Sequence, residues 1–462
     1  MNVERRGSIK PSEGLAQLNV LQEEAKLQIK PLIIDWWQVY EAYRRVKANA
    51  GSAGIDQQSL ADFEVNLKDN LYTLWNRMSS GSYFPSPVKA VAIPKKSGGE
   101  RLLGIPTVAD RIAQMVVKLE FEPKVEPHFL PDSYGYRPRK SALDAIEVTR
   151  KRCWKYDWVL EFDIKGLFDN IPHNLLLKAV DKHTHNPWVR LYIVRWLTAP
   201  MQFEDGRVIE RTKGTPQGGV ISPVLANLFL HYVFDKWLQE HHPNMPWCRY
   251  ADDGLVHCHS AAQAHSMLLA IGERFAACGL ELHPQKTKIV YCKDGRRKGS
   301  YHTTSFDFLG YTFRRRVCQV KGELFLGFNP AVSTSALKAM RTKIRKSRIR
   351  SRTQVDLNAI AKELNPVMRG WLAYYGAFYR SEMYRLIRHV NKTLVRWAMR
   401  KYKSLRFSKR RAIAFLERIA QQKPGLFVHW EKGMKGAIPM VYSPHVFEVG
   451  YSRLVLSFVH AP

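Results

Sequence analysis

Asp252 and Asp253 stand side by side in Tyr250-Ala251-Asp252-Asp253, between Cys248-Arg249 and the apolar pair Leu255-Val256. That pattern predicts a β-hairpin with two acids at its turn. Taken alone, an Asp-Asp turn is ordinary solvated turn chemistry. A partner changes the reading. In Phe162-Asp163-Ile164-Lys165-Gly166-Leu167-Phe168-Asp169-Asn170-Ile171, a short apolar strand over residues 158–164 delivers a third carboxylate near its end. Carboxylates carried on two strands can hold two magnesium ions, because hard cations take oxygen ligands. Such ions, about 3.5 to 4 Å apart, stabilise both the attacking and the leaving oxygen of an in-line phosphoryl transfer. The chemistry implied is nucleotide polymerisation.

The elements that must position these acids alternate between helix and strand. Residues 11–50 have helical spacing, with Leu15, Leu18 and Leu21 and then Trp36, Tyr40 and Tyr43 recurring every three or four residues. Gly51-Ser52-Ala53-Gly54 breaks that pattern, and a second helical stretch follows near 58–79. Residues 88–93 alternate like a strand, and the cationic segment from Pro94 to Arg101 reads as a hairpin tip. Helices are expected over 108–127 and 141–154. The first 310 residues are therefore α/β. From about 335 strand signals fade, and helical stretches at 336–350, 355–364, 367–400 and 408–422 dominate, with the domain boundary expected near Gly327-Phe328-Asn329-Pro330.

Charge points to the partner. The chain has 72 Lys and Arg against 41 Asp and Glu, a formal net charge of +31. That exceeds what solubility requires and calls for a polyanion. The excess is uneven: residues 1–292 carry +5 and residues 293–462 carry +26. In the last third the cations are interleaved with Trp371, Tyr374, Tyr375, Phe378, Tyr379, Tyr384, Trp397 and Phe415, so that segment can fill a core while presenting phosphate contacts. The six cysteines are scattered, with no metal-binding pair spacing. No apolar run approaches the roughly 18 to 20 residues of a membrane helix, and the acidic N-terminus is a poor transit peptide. The expectation is a bacterial cytoplasmic, nucleoid-associated protein with no membrane partner.

At this point the chain resembles the reverse transcriptases encoded by group II introns, nearly end to end. The blocks that carry the resemblance follow the family's order. They begin with residues 51–56, Ile93-Pro94-Lys95, Arg101-Leu102-Leu103-Gly104-Ile105-Pro106-Thr107, Asp110-Arg111 and Ser133-Tyr134-Gly135-Tyr136-Arg137-Pro138. They continue with the Asp163 strand, Gly214-Thr215-Pro216-Gln217-Gly218-Gly219-Val220-Ile221-Ser222-Pro223, the Tyr250–Asp253 box, residues 279–288 and Phe306-Asp307-Phe308-Leu309-Gly310.

The resemblance implies that Asp163 and Asp252 bind both metal ions, with Asp253 assisting and the Ile164 carbonyl as a further ligand. Lys95 and Arg101 would hold the triphosphate of an incoming deoxynucleotide, where the planar Arg fork suits phosphate oxygens. Phe168 would lie under the sugar and exclude a 2′-hydroxyl; as a plain reading it is a core residue after a strand. Gln217 would meet the nascent base pair and template. Lys286, or else Lys288, would stand near the leaving pyrophosphate. Leu364-Asn365-Pro366-Val367-Met368-Arg369-Gly370-Trp371-Leu372-Ala373-Tyr374-Tyr375 resembles the maturase domain that serves as thumb and grips intron RNA, with Arg369, Trp371 and Tyr375 as RNA-contacting residues.

The fold implied is a right-hand polymerase, α/β in fingers and palm and all-α in the thumb. Residues 1–80 would form an N-terminal extension and the start of the fingers, 81–320 fingers and palm, 330–435 the helical thumb and maturase domain, and 436–462 a short C-terminal segment. The cysteine pairs of the family's endonuclease domain do not occur, so the resemblance is to the form without it. The partners implied are template and intron RNA, a DNA primer or target, and deoxynucleoside triphosphates. Two rivals stand beside this reading: an RNA-binding splicing factor without synthesis, and a free-standing enzyme recruited to DNA repair or defence.

Overall fold

The computed structural model describes residues 32–94, 99–320 and 322–434. Lys95 and the helical pattern of Leu15, Leu18 and Leu21 lie outside the described residues. Two compact units divide between Thr304 and Ser305.

The first unit holds two four-stranded sheets. One is built from β1 (Val88–Pro94), β2 (Glu100–Ile105), and further along the chain β4 (Met201–Gln202) and β5 (Val208–Ile209), in the order β2-β1-β4-β5. The other has the order β6-β7-β3-β8, from β3 (Trp158–Asp163), β6 (Trp247–Tyr250), β7 (Asp253–Cys258) and β8 (Lys288–Tyr291). Strand β3 is paired antiparallel on both sides, with β7 and β8. This explains its composition: a central strand is mostly apolar, and Val159, Leu160 and Phe162 are buried, while Glu161 pairs with Lys288 of β8. Helix Val108–Val125 is started by Thr107, whose Oγ1 accepts from the Asp110 N–H. Ser141 and Asp144 form a reciprocal capping box at helix Ala142–Cys153. The expected helix near 58–79 is two helices, Leu60–Val65 and Leu67–Ser79, because Asn66 leaves helical geometry at φ −118° and ψ 45°.

The second unit opens with a three-stranded antiparallel sheet of β9 (Phe306–Phe308), β10 (Tyr311–Val320) and β11 (Glu323–Val332). The boundary expected near 327–330 therefore falls inside β11. Phe306 and Phe313 stack at 4.7 Å, joining β9 to β10 into one small core with Phe328. The loop before β9, not the end of β11, is where the compact units part.

Helices Thr334–Lys346, Leu357–Tyr375, Tyr384–Lys401 and Lys409–Gln422 follow, packed around the fully buried Trp397 and Trp430. The helices expected over 355–364 and 367–400 have different ends in the structure. Leu357–Tyr375 continues through Pro366, where the proline costs one hydrogen bond on the exposed face while Ile360, Leu364, Met368 and Leu372 continue the buried stripe. The expected 367–400 helix is instead interrupted after Tyr375, where Gly376 follows and Tyr379 takes a left-handed φ of 40°.

Candidate active site

The register of the β3/β7 pair sets Asp163 directly opposite Asp253. Strands β6 and β7 pair Tyr250 with Asp253, so Ala251 and Asp252 alone make the turn. Ala251 sits there at φ 56°, a left-handed value that costs a non-glycine residue about 1 kcal/mol or more. The Ile164 N–H donates to the Asp252 carbonyl at 3.3 Å, which ties the end of β3 to that turn. Two glycines make the packing possible. A Cβ on Gly254 would lie 2.1 Å from the Phe162 ring, and one on Gly135 would lie 2.4 Å from the Ala251 nitrogen. The Phe162 ring thus occupies the space over Gly254 of β7, and the Ser133–Pro138 block backs directly onto the turn.

The electrostatics show a deficit of positive charge. Burial, then the neighbouring Asp252 and Asp163, push the Asp253 carboxyl up to about 8. Burial also raises Asp252, with Asp163 adding to it. A cation answers part of this: the Lys286 ammonium lies 3.0 Å from Asp163 Oδ2. Lys288, the alternative, pairs with Glu161 at 3.2 Å. The segment carrying Lys286 is held on β3, since the His283 N–H donates to the Asp163 carbonyl at 2.8 Å. Among the described residues no three His, Cys, Asp or Glu side chains close on one point as a ready metal cage. The donor set is open: two facing carboxylates, a third beside them and main-chain oxygens, which fits hard cations that complete their shell with substrate oxygens. The rise of Asp252 and Asp253, caused by burial and added to by their acidic neighbours, is the physical sign of that fit.

Other expected residues gather around these acids. Arg101 on β2 lies within electrostatic reach of Asp252 and of the Tyr136 hydroxyl. Phe168 is half-buried, and its carbonyl accepts from the Thr215 N–H at 2.6 Å, which lays the 214–223 block against it. Gln217 reaches from that block to Asp169 at 3.2 Å, while its own carbonyl accepts from the Gly104 N–H at 2.9 Å.

In the second unit Arg369 is exposed. Trp371 and Tyr375 pack partly against the helical core, and the Tyr375 ring also lies against Tyr311 of β10 at 5.6 Å.

Sequence reasoning missed the support of the turn. Arg249, on β6, is fully buried and grips the equally buried Asp235 through two hydrogen bonds of 2.7 and 2.6 Å. The signal was present: an arginine between Cys248 and Tyr250 in an otherwise apolar strand requires a buried acid.

The second unit also holds a feature that composition could not locate. Arg350 has its pKa lowered by burial and by the guanidinium groups of Arg396, Arg400 and Arg345. His389, lowered by burial first, feels Arg350, Arg341, Arg345 and Arg396. Six basic side chains from three elements thus converge, and none has a carboxylate partner in the ion pairs of the described residues. Arg352 nearby differs, being paired to Glu363 at 2.6 Å.

Comparison with known proteins now bears on this geometry. The family described as reverse transcriptase (RNA-dependent DNA polymerase) matches residues 93–313, and the group II intron maturase-specific domain matches residues 337–414. Protein YkfC of Escherichia coli is 31% identical over 306 residues, which is 58% of this chain and 77% of YkfC. This chain belongs to the group II intron reverse transcriptase and maturase family. The group II intron-encoded protein LtrA of Lactococcus lactis is 33% identical over 202 residues, 43% of this chain and 33% of LtrA. Nuclear intron maturase 4 of Arabidopsis thaliana is 20% identical over 190 residues, 41% of this chain and 23% of that protein. The match to these two thus spans a third or less of their length. Both the polymerase part and the helical maturase part of the family are present, and the mixed sheet-and-helix first unit followed by a helix-rich second unit agrees with them.

Proposed function

We propose that this protein extends a DNA primer on an RNA template with deoxynucleoside triphosphates, and that it grips group II intron RNA to promote splicing and mobility. The observation that carries the first part is the Asp163–Asp253 register with Asp252 at the adjoining turn. A splicing factor without synthesis has no physical need to gather three acids that destabilise one another.

In this reading Asp163, Asp252 and the Ile164 carbonyl hold two magnesium ions, with Asp253 assisting. Bound there, the ions would polarise the reacting phosphate and lower the pKa of the primer hydroxyl. Arg101, together with Lys95, fixes the triphosphate and offsets its charge. Lys286 donates a proton or a charge to the leaving pyrophosphate. Phe168 supports the sugar and rejects a 2′-hydroxyl, and Gln217 meets the new base pair. The test is primer extension on an RNA template, wild type against Asp252→Ala at equal RNA occupancy.

Intron RNA binding is supported by the +26 charge of residues 293–462 and by the convergence of Arg341, Arg345, Arg350, His389, Arg396 and Arg400. Like charges held together without acids are costly unless a polyanion joins them. Arg369, Trp371 and Tyr375 remain contact residues of this reading, Arg369 through its exposed charge and the two aromatics through their half-exposed rings. A bacterial cytoplasmic, nucleoid-associated location goes with this polyanion-directed charge. No helix among the described residues is long and apolar enough to cross a membrane.

A further inference from the structure

Arg249 has a guanidinium with five N–H donors, and the structure gives each an acceptor. Nε and Nη2 donate to the two oxygens of Asp235 at 2.7 and 2.6 Å. Nη2 also donates to Ser133 Oγ at 2.9 Å. Nη1 donates to Asn227 Oδ1 at 3.1 Å and to the Ala251 carbonyl at 3.2 Å. Both charged groups are 0% exposed. Such a pair is poorly explained by stability alone, since apolar side chains of similar volume fill a core as well or better.

The geometry connects four separate segments to one point. Ser133 and Gly135 belong to the block behind the turn. Asn227, from helix Ser222–Leu230, donates to the Gly135 carbonyl at 2.6 Å. Asp235 is presented by a widened helical turn, in which the Lys236 N–H donates to the His231 carbonyl five residues back. Insertions of this kind re-aim side chains and recur at functional sites. The Tyr134 N–H donates to the Arg249 carbonyl at 2.8 Å. All of them converge beside Ala251, whose left-handed φ of 56° is uncommon for alanine and must be held from outside.

We propose that Arg249, oriented by Asp235, Asn227 and Ser133, is the positioning residue of the catalytic turn: its fork fixes the Ala251 carbonyl and thereby the placement of Asp252 and Asp253 relative to Asp163. It touches neither substrate nor reacting atoms. The inference rests on the polymerase reading and adds a specific cause for the geometry of its site.

The experiment compares wild type, Arg249→Lys, Ser133→Ala and Val233→Ala by steady-state primer extension, with the melting temperature of each. Arg249→Lys keeps a charge for Asp235 but loses the planar fork. Val233→Ala, a buried truncation in the same widened turn but outside the fork, is the matched control for lost stability. The expected result is a kcat at least tenfold lower for Arg249→Lys with the deoxynucleotide KM within twofold, a threefold loss for Ser133→Ala, and an unchanged kcat for Val233→Ala below its melting temperature. Arg249→Lys with wild-type kcat, or a loss matched by Val233→Ala at equal destabilisation, overturns the proposal. Where Arg249→Lys yields no folded protein, Ser133→Ala decides, and an unchanged kcat overturns it. Wild type that extends no primer sinks the polymerase reading itself and the positioning role with it, a result distinct from loss in the variants alone.

Discussion

Neutralising two members of the arginine cluster should change how salt acts on RNA binding. Arg350 and Arg396 belong to a group of crowded cations, in which burial and the guanidinium charges of Arg396, Arg400 and Arg345 lower the pKa of Arg350. If each meets one phosphate, the double substitution Arg350→Gln/Arg396→Gln removes two contacts. Each phosphate contact contributes about 0.7 to 0.9 to the slope of log affinity against log salt, so the slope should become shallower by about 1.4 to 1.8. Between about 50 and 200 mM salt, the variant should therefore lose roughly tenfold less affinity than wild type loses. The assay is fluorescence anisotropy with a labelled structured RNA at four salt concentrations. Relief of like-charge crowding also predicts that the melting temperature does not fall. Arg352→Gln serves as the comparison, because its charge is already spent on Glu363. An unchanged slope in the double variant, or an equal change in Arg352→Gln, refutes the argument.

Three further outcomes are expected. Lys286→Met removes the cation on Asp163 Oδ2 and should reduce kcat by about 10² or more while leaving RNA affinity intact, measured by single-turnover extension; a loss confined to RNA binding would contradict its role. Phe168→Val should raise ribonucleotide incorporation relative to deoxynucleotide by about tenfold or more, scored by competing the two triphosphates, whereas unaltered discrimination would return Phe168 to a packing role. His257 is fully buried with neither ring nitrogen hydrogen-bonded, and burial takes its pKa down to about 3. A base whose pKa is depressed on folding contributes stability that is complete above its unfolded value, about 6.5, and is lost as pH falls towards 3. At pH 5 that loss is about 2 kcal/mol, so melting of wild type should fall between pH 7.5 and 5 more steeply than that of His257→Leu; parallel curves would contradict the assignment.

The three acids were legible as a candidate site because metal-assisted phosphoryl transfer would restrict both residue type and strand context, and the strand registers bear out the hairpin and strand that carry them. Turns were legible where glycine marked them. What escaped was set by tertiary contacts. Pro366 reads as a helix end until one sees that it faces solvent while Leu364 and Met368 keep the stripe buried. Asn66 reads as helix because local spacing holds on both sides of it. Arg249 and Asp235 lie in different elements, so only the fold reveals that the arginine in an apolar strand has its acid. The arginine cluster likewise needs helices Thr334–Lys346 and Tyr384–Lys401 brought together, and charge counting alone located it no better than the last third of the chain.

The central claim is that Asp163, Asp252 and Asp253 form a polymerase site. Its most direct test is primer extension on an RNA template with deoxynucleotides and magnesium, wild type against Asp252→Ala at equal RNA occupancy. The account predicts sustained extension by wild type and none by the variant, with RNA affinity unchanged. Tight and specific RNA binding without extension by wild type would contradict it and leave an RNA-binding splicing factor in its place.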